Sequence, residues 1–389
     1  MTEAAPKQAL YVDRLTMTRR IASWLEKLDP GVHRRIKGLR LVTAYGIAVM
    51  LGIVLQRSYA ISGGSKLSYL AAGFALWASV SEGQATRGSS TRDLAILNAA
   101  AAVGALIYVG ALSVGPVRVN PEWVLVLGAF LVGYLKRFGI LGAGIGSQIY
   151  IGQLLAYSTG ITRHNFKMIA LAGLIAAVAS IVPRVLSGPA EHPTPIGPEA
   201  PLRGGLASRE MRMGLQSAVA ALTIVFVNGF LHLQQSAWAI TASTYVIAGS
   251  AIGTADRVRR RIWGTLVGVP IGIACLPIAV HVPPLAWLLA ALAMVIYSMA
   301  LPDRYDIACG AYAFTLIVTL AISGETSISV LAARTWETLI GGALGVIAAK
   351  VIMPLSLTTS SCPDAPTARL AFAQEKTPRP EAQLRDSSR

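Results

Sequence analysis

Few charged residues stand within or against the apolar stretches of this chain, and burying such charges is costly enough to mark them for function. Arg261 abuts an apolar run directly, Arg334 and Glu337 lie near the start of another, and Glu82 and Asp306 flank two more. The planar fork of an arginine binds a carboxylate in two places, while a nearby carboxylate can take up a proton. Arg334 and Glu337, three apart on a helix, read equally well as a structural ion pair. Tyr150, Gln153 and Tyr157 share one helical face at i, i+3 and i+7, with Gln148 off it. Their rings could stack on an aromatic ligand, or the stripe could serve hydrogen bonds between helices. The basic turn Arg257, Arg259, Arg260, Arg261 could gather anions, but reads first as a topology signal that touches lipid phosphate.

Small residues form a second pattern. Gly264, Gly268 and Gly272 recur every four residues, as do Gly341 and Gly345, and Thr265 stands between the first two. Such spacing predicts helices in close approach. Pro270 and Pro277 free backbone carbonyls that either line a cavity or kink the helix. His232 reads as an interfacial histidine.

Other chemistries find no support. The chain has no Walker-type GxxxxGK[ST] and no HExxH, and its five histidines are scattered. Cys275, Cys309 and Cys362 share no close spacing. The expectation is therefore no enzyme, no cofactor and no bound metal.

The elements that must position these residues are membrane helices. Only 14% of the 389 residues are charged, against about 25% in soluble domains, and the mean hydropathy is +0.57. The net charge of +15 collects in loops, as the positive-inside rule expects, so nucleic acid is not an expected partner. Apolar runs long enough to cross a bilayer fall near 39–56, 67–85, 94–114, 121–135, 138–159, 166–186, 212–232, 236–253, 262–281, 284–301, 305–323 and 333–353. The fold class expected is an all-α polytopic membrane protein of about twelve transmembrane helices in two parallel six-helix repeats. The short second, fourth and eighth runs could instead be half-helices, which would lower the count.

The domains read as a basic cytoplasmic segment 1–37, a first membrane repeat 38–186, a linker 187–211, a second repeat 212–354 and a polar tail 355–389. Ile21, Trp24, Leu25 and Leu28 lie on one face of a candidate interfacial helix. With both termini cytoplasmic, only Arg57, Lys66, Arg118, Arg163, Lys167 and Arg334 of the Lys and Arg residues fall outside. The two halves align by content: Pro121 and Trp123 with Pro284 and Trp287, Tyr134 with Tyr297, Arg163 and Pro183 with Arg334 and Pro354. Gly-interrupted runs at matching positions of two repeats point to a transport pathway.

At these residues the chain resembles the fusaric acid resistance protein-like family. The likeness is clearest over 212–354, on Trp238, Gly253, Thr254, Arg261, Gly264, Thr265, Gly268, Arg334, Glu337, Gly341 and Pro354. Trp77, Thr86 and Arg92 keep part of that order in the first half. The resemblance implies export of small organic anions, aromatic carboxylates foremost, across a bacterial inner membrane, with plant malate channels as relatives; the alternative readings are a passive organic-anion channel and a non-transport envelope membrane protein. Substrate binding would fall to Arg261, Arg334, Tyr150, Gln153 and Tyr157, and proton coupling to Glu82, Asp306 and Glu337. Expected partners are membrane lipids, the anion, a periplasmic adaptor protein and further copies of the chain. Many relatives carry a cytosolic domain between the halves, where this chain has only the 187–211 linker.

Overall fold

The computed structural model describes residues 33–58, 66–83, 86–114, 121–187, 209–231, 236–248, 250–301, 303–324 and 326–352. Every regular element among them is a helix. The candidate interfacial helix, most of the linker, His232, Cys362 and the tail lie outside the described residues.

The first half comprises α1 (His33–Ser58), α2 (Lys66–Ser81), α3 (Arg87–Val114), α4 (Trp123–Tyr134), α5 (Gly139–Ser158) and α6 (Phe166–Leu186). The second comprises α7 (Arg209–Leu231), α8 (Ser236–Val246), α9 (Ala251–Ala274), the six-residue α10 (Leu276–His281), α11 (Pro283–Ala300), α12 (Tyr305–Ile322) and α13 (Ile328–Val351). Breaks fall where the backbone requires them. A 3₁₀ turn, Leu135–Phe138, follows α4, and Gly139, at φ 76°, starts α5. Pro283 opens α11, where a missing N–H costs nothing.

Eight stretches are long and apolar enough to cross a membrane: α1, α3, α4 with α5, α6, α7, α11, α12 and α13. The others fall short for physical reasons. The 11 residues of α8 and the 16 of α2 rise about 16 and 24 Å, less than a hydrocarbon core of about 30 Å. In α9 the first three turns are strongly charged. The basic turn expected at Arg257–Arg261 is in fact the interior of this helix, which starts six residues earlier. Ser250 caps it by accepting from the Gly253 N–H, and Asp256 pairs with Arg259 and Arg260 one turn on.

In the first half α1 packs on α2 and α6, α2 on α6, α3 on α5 and α6, and α4 on α5. In the second, α7 packs on α8 and α13, α8 on α13, α9 on α12 and α13, and α11 on α12. The largest seams between the halves are α4 on α7 and α1 on α11, and α4 also meets α8. The closest approaches use glycine. A Cβ on Gly268 would lie 2.2 Å from the Gly310 carbonyl oxygen, and one on Gly264 2.3 Å from that of Asp306, so α9 and α12 touch backbone to backbone. Gly272 meets Ile317 of the same helix. Gly341 and Gly345 seat α13 against Ala239, Ala242, Ser243 and Val246 of α8. In the first half Gly104 and Gly152 do the same for α3 and α5.

Candidate functional site

A cavity of about 570 Å³ is lined by both halves. Its walls come from α1, α2 and α5 on one side and α8, α9, α11, α12 and α13 on the other. Two arginines face it, Arg261 from α9 and Arg334 from α13. Among the described residues that line it there is no Asp or Glu.

Helix geometry explains why Arg261 points inward. Arg261, Thr265 and Val269 are spaced by four and all line the cavity, while Gly264, Gly268 and Gly272 lie on the adjacent face against α12. The Arg-x-x-Gly-Thr-x-x-Gly element thus does two jobs on two faces. Arg261 is half-buried and interacts with the Tyr305 hydroxyl and the Cys309 thiol of α12.

Arg334 is held differently. It is 5% exposed, and its guanidinium carbon lies 3.2 Å from the centroid of the Trp238 ring of α8. This is a cation–π stack in a desolvated setting, where such contacts are strongest. Its Nε has no hydrogen-bond partner among the described residues. Glu337, fully buried one turn on, acts on Arg334 electrostatically but does not line the cavity.

Aromatic rings make much of the wall. Trp77 of α2 meets Tyr312 edge-on at 5.4 Å and Tyr297 at 6.4 Å, and Tyr45 lies 6.1 Å from Trp287. In the sequence Trp77, Trp287 and Tyr297 marked the likeness of the two halves, and none of the five was read as a cavity wall. A signal existed in Tyr305, Cys309 and Tyr312, which at i, i+4 and i+7 form one stripe of α12.

The tyrosine and glutamine stripe of α5 lies elsewhere. Tyr150, Gln153 and Tyr157 do not line the cavity; the neighbouring face, Ser147, Ile151, Leu154 and Ser158, does. Tyr150 is fully buried and bonds the Thr241 hydroxyl of α8 at 2.8 Å. Gln153 packs against Gly128 of α4. The Tyr157 hydroxyl donates to Glu122 Oε1 at 3.1 Å. The stripe is turned to α4 and α8, and of its two readings the interhelical one fits this placement.

The remaining carboxylates also lie off the cavity. Glu82 accepts from Ser90 Oγ at 2.5 Å, with Arg184 Nε at 3.7 Å and Arg40 Nη2 at 3.9 Å. Lys37 donates to its backbone carbonyl at 2.6 Å. This cluster ties α1, α3 and α6 to the end of α2. Asp306, at the first turn of α12, pairs with Arg304 at 3.1 Å in a partly exposed position. Glu122 was not singled out by its sequence context: a carboxylate just before a helix reads as a dipole partner. It is 4% exposed and gathers Tyr157, Asn228 and Ser236 from three helices.

No curated protein and no solved structure matches the chain significantly. A family model does match, across the stretch that carries Trp238, Arg261, Arg334 and the glycine contacts. Over residues 220–348 the chain matches the fusaric acid resistance protein-like family.

Proposed function

We propose that this multi-pass membrane protein exports small organic anions, aromatic carboxylates foremost, across the bacterial inner membrane at the expense of the proton gradient. The observation that carries the reading is the cavity between the halves: two inward arginines, aromatic walls and no carboxylate among its described lining. An anion entering it meets charge-assisted donors in a poorly solvated space, where they act most strongly. The rings offer flat apolar area beside those cations. The family's name, fusaric acid resistance protein-like, agrees with an aromatic acid as cargo.

The architecture proposed with it is two parallel repeats of six membrane helices about an axis along the membrane normal, with both termini cytoplasmic. Its support is the matching packing. Carrying α1–α3 onto α7–α9 and α4–α6 onto α11–α13 turns most first-half pairings into second-half ones, and one seam into the other. Substrate between two such repeats is the usual arrangement.

The test is retention of radiolabelled p-hydroxybenzoate in preloaded cells, with and without the protein, before and after a protonophore. Expected is faster loss that the protonophore abolishes. No difference between the two strains overturns the reading for this substrate.

A second reading, a passive anion channel, is favoured by one observation: none of Glu82, Asp306 and Glu337 lines the cavity. It predicts loss of label that survives the protonophore.

A further inference from the structure

The end of α4 and the starts of α7 and α9 bring cations together from both halves. Gly133 of α4 and Gly214 of α7 cross with their backbones in contact, and a Cβ on either would strike the other helix. Just beyond that crossing the 3₁₀ turn Leu135–Phe138 packs on α7. Lys136 of the turn is half-buried. It lies within electrostatic reach of Arg209, which opens α7, and of Arg257 in the second turn of α9, both exposed. No carboxylate is among the groups that act on it. The acidic residues of these turns are Glu210 and Asp256, and Asp256 is taken up by Arg259 and Arg260.

Arg137 is held ready beside Lys136. Its guanidinium carbon lies 5.3 Å from the centroids of both the Tyr134 and the Phe138 rings, and its Nη1 donates to the Tyr134 hydroxyl at 3.0 Å. Its Nε is a buried atom with no hydrogen-bond partner among the described residues. Like charges kept close in a poorly hydrated place repel, and an anion set among them removes the repulsion. The surroundings say which kind of anion. Phe138 and Ile140, next along the chain, are 56% and 55% exposed. A small inorganic anion has nothing to lay on such side chains, whereas a phospholipid has its acyl chains.

We propose that Lys136, Arg209 and Arg257, with Arg137 beside them, bind the phosphate headgroup of an anionic phospholipid whose chains run over Phe138 and Ile140. A basic loop at a bilayer surface needs only its own charges; this site needs cations from three elements in one place. The bound phosphate ties Lys136 of the first half to Arg209 and Arg257 of the second, and so fastens the α4–α7 seam. In the orientation proposed above this end is cytoplasmic, where anionic headgroups attract basic residues. The site does not rest on the export reading.

The experiment needs no cargo. Full-length protein in neutral detergent is titrated with short-chain phosphatidylglycerol, with phosphatidylcholine of the same chains, or with glycerol phosphate, while its unfolding temperature is followed. Expected is a saturable rise with phosphatidylglycerol alone. Lys136→Gln and Arg257→Gln should each raise the half-saturating concentration about fivefold, the worth of one basic residue against an anionic headgroup. Arg259→Gln, two residues along α9 and already paired with Asp256, should change it less than about twofold. Without anionic lipid, Lys136→Gln should unfold at a higher temperature than the parent, because a repulsion is gone, and this advantage should shrink as phosphatidylglycerol is added. A parent that phosphatidylglycerol does not stabilise, or that phosphatidylcholine or glycerol phosphate stabilises as much, overturns the proposal. So does an equal loss of affinity in Arg259→Gln, which would mark a diffuse surface field. Should Lys136→Gln fail to accumulate, an unchanged half-saturation in Arg257→Gln overturns it instead. Saturable stabilisation without p-hydroxybenzoate export would remove the export reading and leave the lipid site standing.

Discussion

Arg261 and Arg334 face one cavity, yet the chain holds them in opposite ways. Arg334 is almost wholly buried, stacked on Trp238, with Glu337 a turn away. Arg261 is half-buried and interacts with hydroxyl and thiol groups of α12. A guanidinium flattened against a ring has lost most of its freedom before any ligand arrives, so binding there orders little else. One that keeps contact with water can follow a ligand and release it. On the export reading, that difference suits Arg334 to selecting the anion and Arg261 to passing it.

The comparison can be broken most directly at Arg334. We predict that Arg334→Ala lowers p-hydroxybenzoate efflux by about 100-fold at unchanged abundance, the loss of a charge-assisted fork. Arg334→Lys should recover little of it, because an ammonium neither stacks nor binds in two places; near-normal efflux in the lysine variant would remove the distinction. Next comes the scaffold under Arg261. Gly268→Val forces side-chain atoms into the α12 backbone and should cost about 1–3 kcal/mol, read as a lower unfolding temperature in detergent. Arg261→Ala should reduce efflux about tenfold, and Arg261→Lys should keep most of it, because a flexible cation suffices at that position. The smallest effect expected is a few-fold loss in Trp238→Phe, where a weaker ring replaces indole under the guanidinium. An equal loss in an Arg261→Lys, Trp238→Phe double variant and in the product of its singles would show that the two arginines act independently.

How much of this was legible in the sequence depended on whether period alone decides the matter. Charges beside apolar runs are costly wherever they point, so Arg261 and Arg334 stood out before any fold was known. Glycines at every fourth residue demand a close neighbour, and α12 and α8 are those neighbours. The Tyr150, Gln153, Tyr157 stripe is a different case. Period shows that three residues share a face but not which helix that face meets; here it meets α4 and α8, and the cavity lies one face round. The basic segment at Arg257 looked like a turn because charge is common in loops, whereas a serine cap and an i,i+3 and an i,i+4 pair support the helix. Glu122 carried no signal of its own, since its partners come from residues 35 to 114 positions away in the chain. Length was legible too: the second, fourth and eighth runs read as candidate half-helices, and α2, α4 and α8 have 16, 12 and 11 residues.

The shortness of α4 has a consequence for the lipid around it. Its 12 residues cover about 18 Å, yet Trp123 and Leu127 on its outer face are exposed. Beside a bilayer whose oily layer measures about 30 Å, such a face leaves acyl chains without a matching wall. Where α4 alone meets lipid, a bilayer would have to thin to match it, at an elastic cost that grows with chain length. The α4–α7 seam would then be tuned by the host bilayer as well as by the protein, and efflux from liposomes should slow as the lipid tails are lengthened.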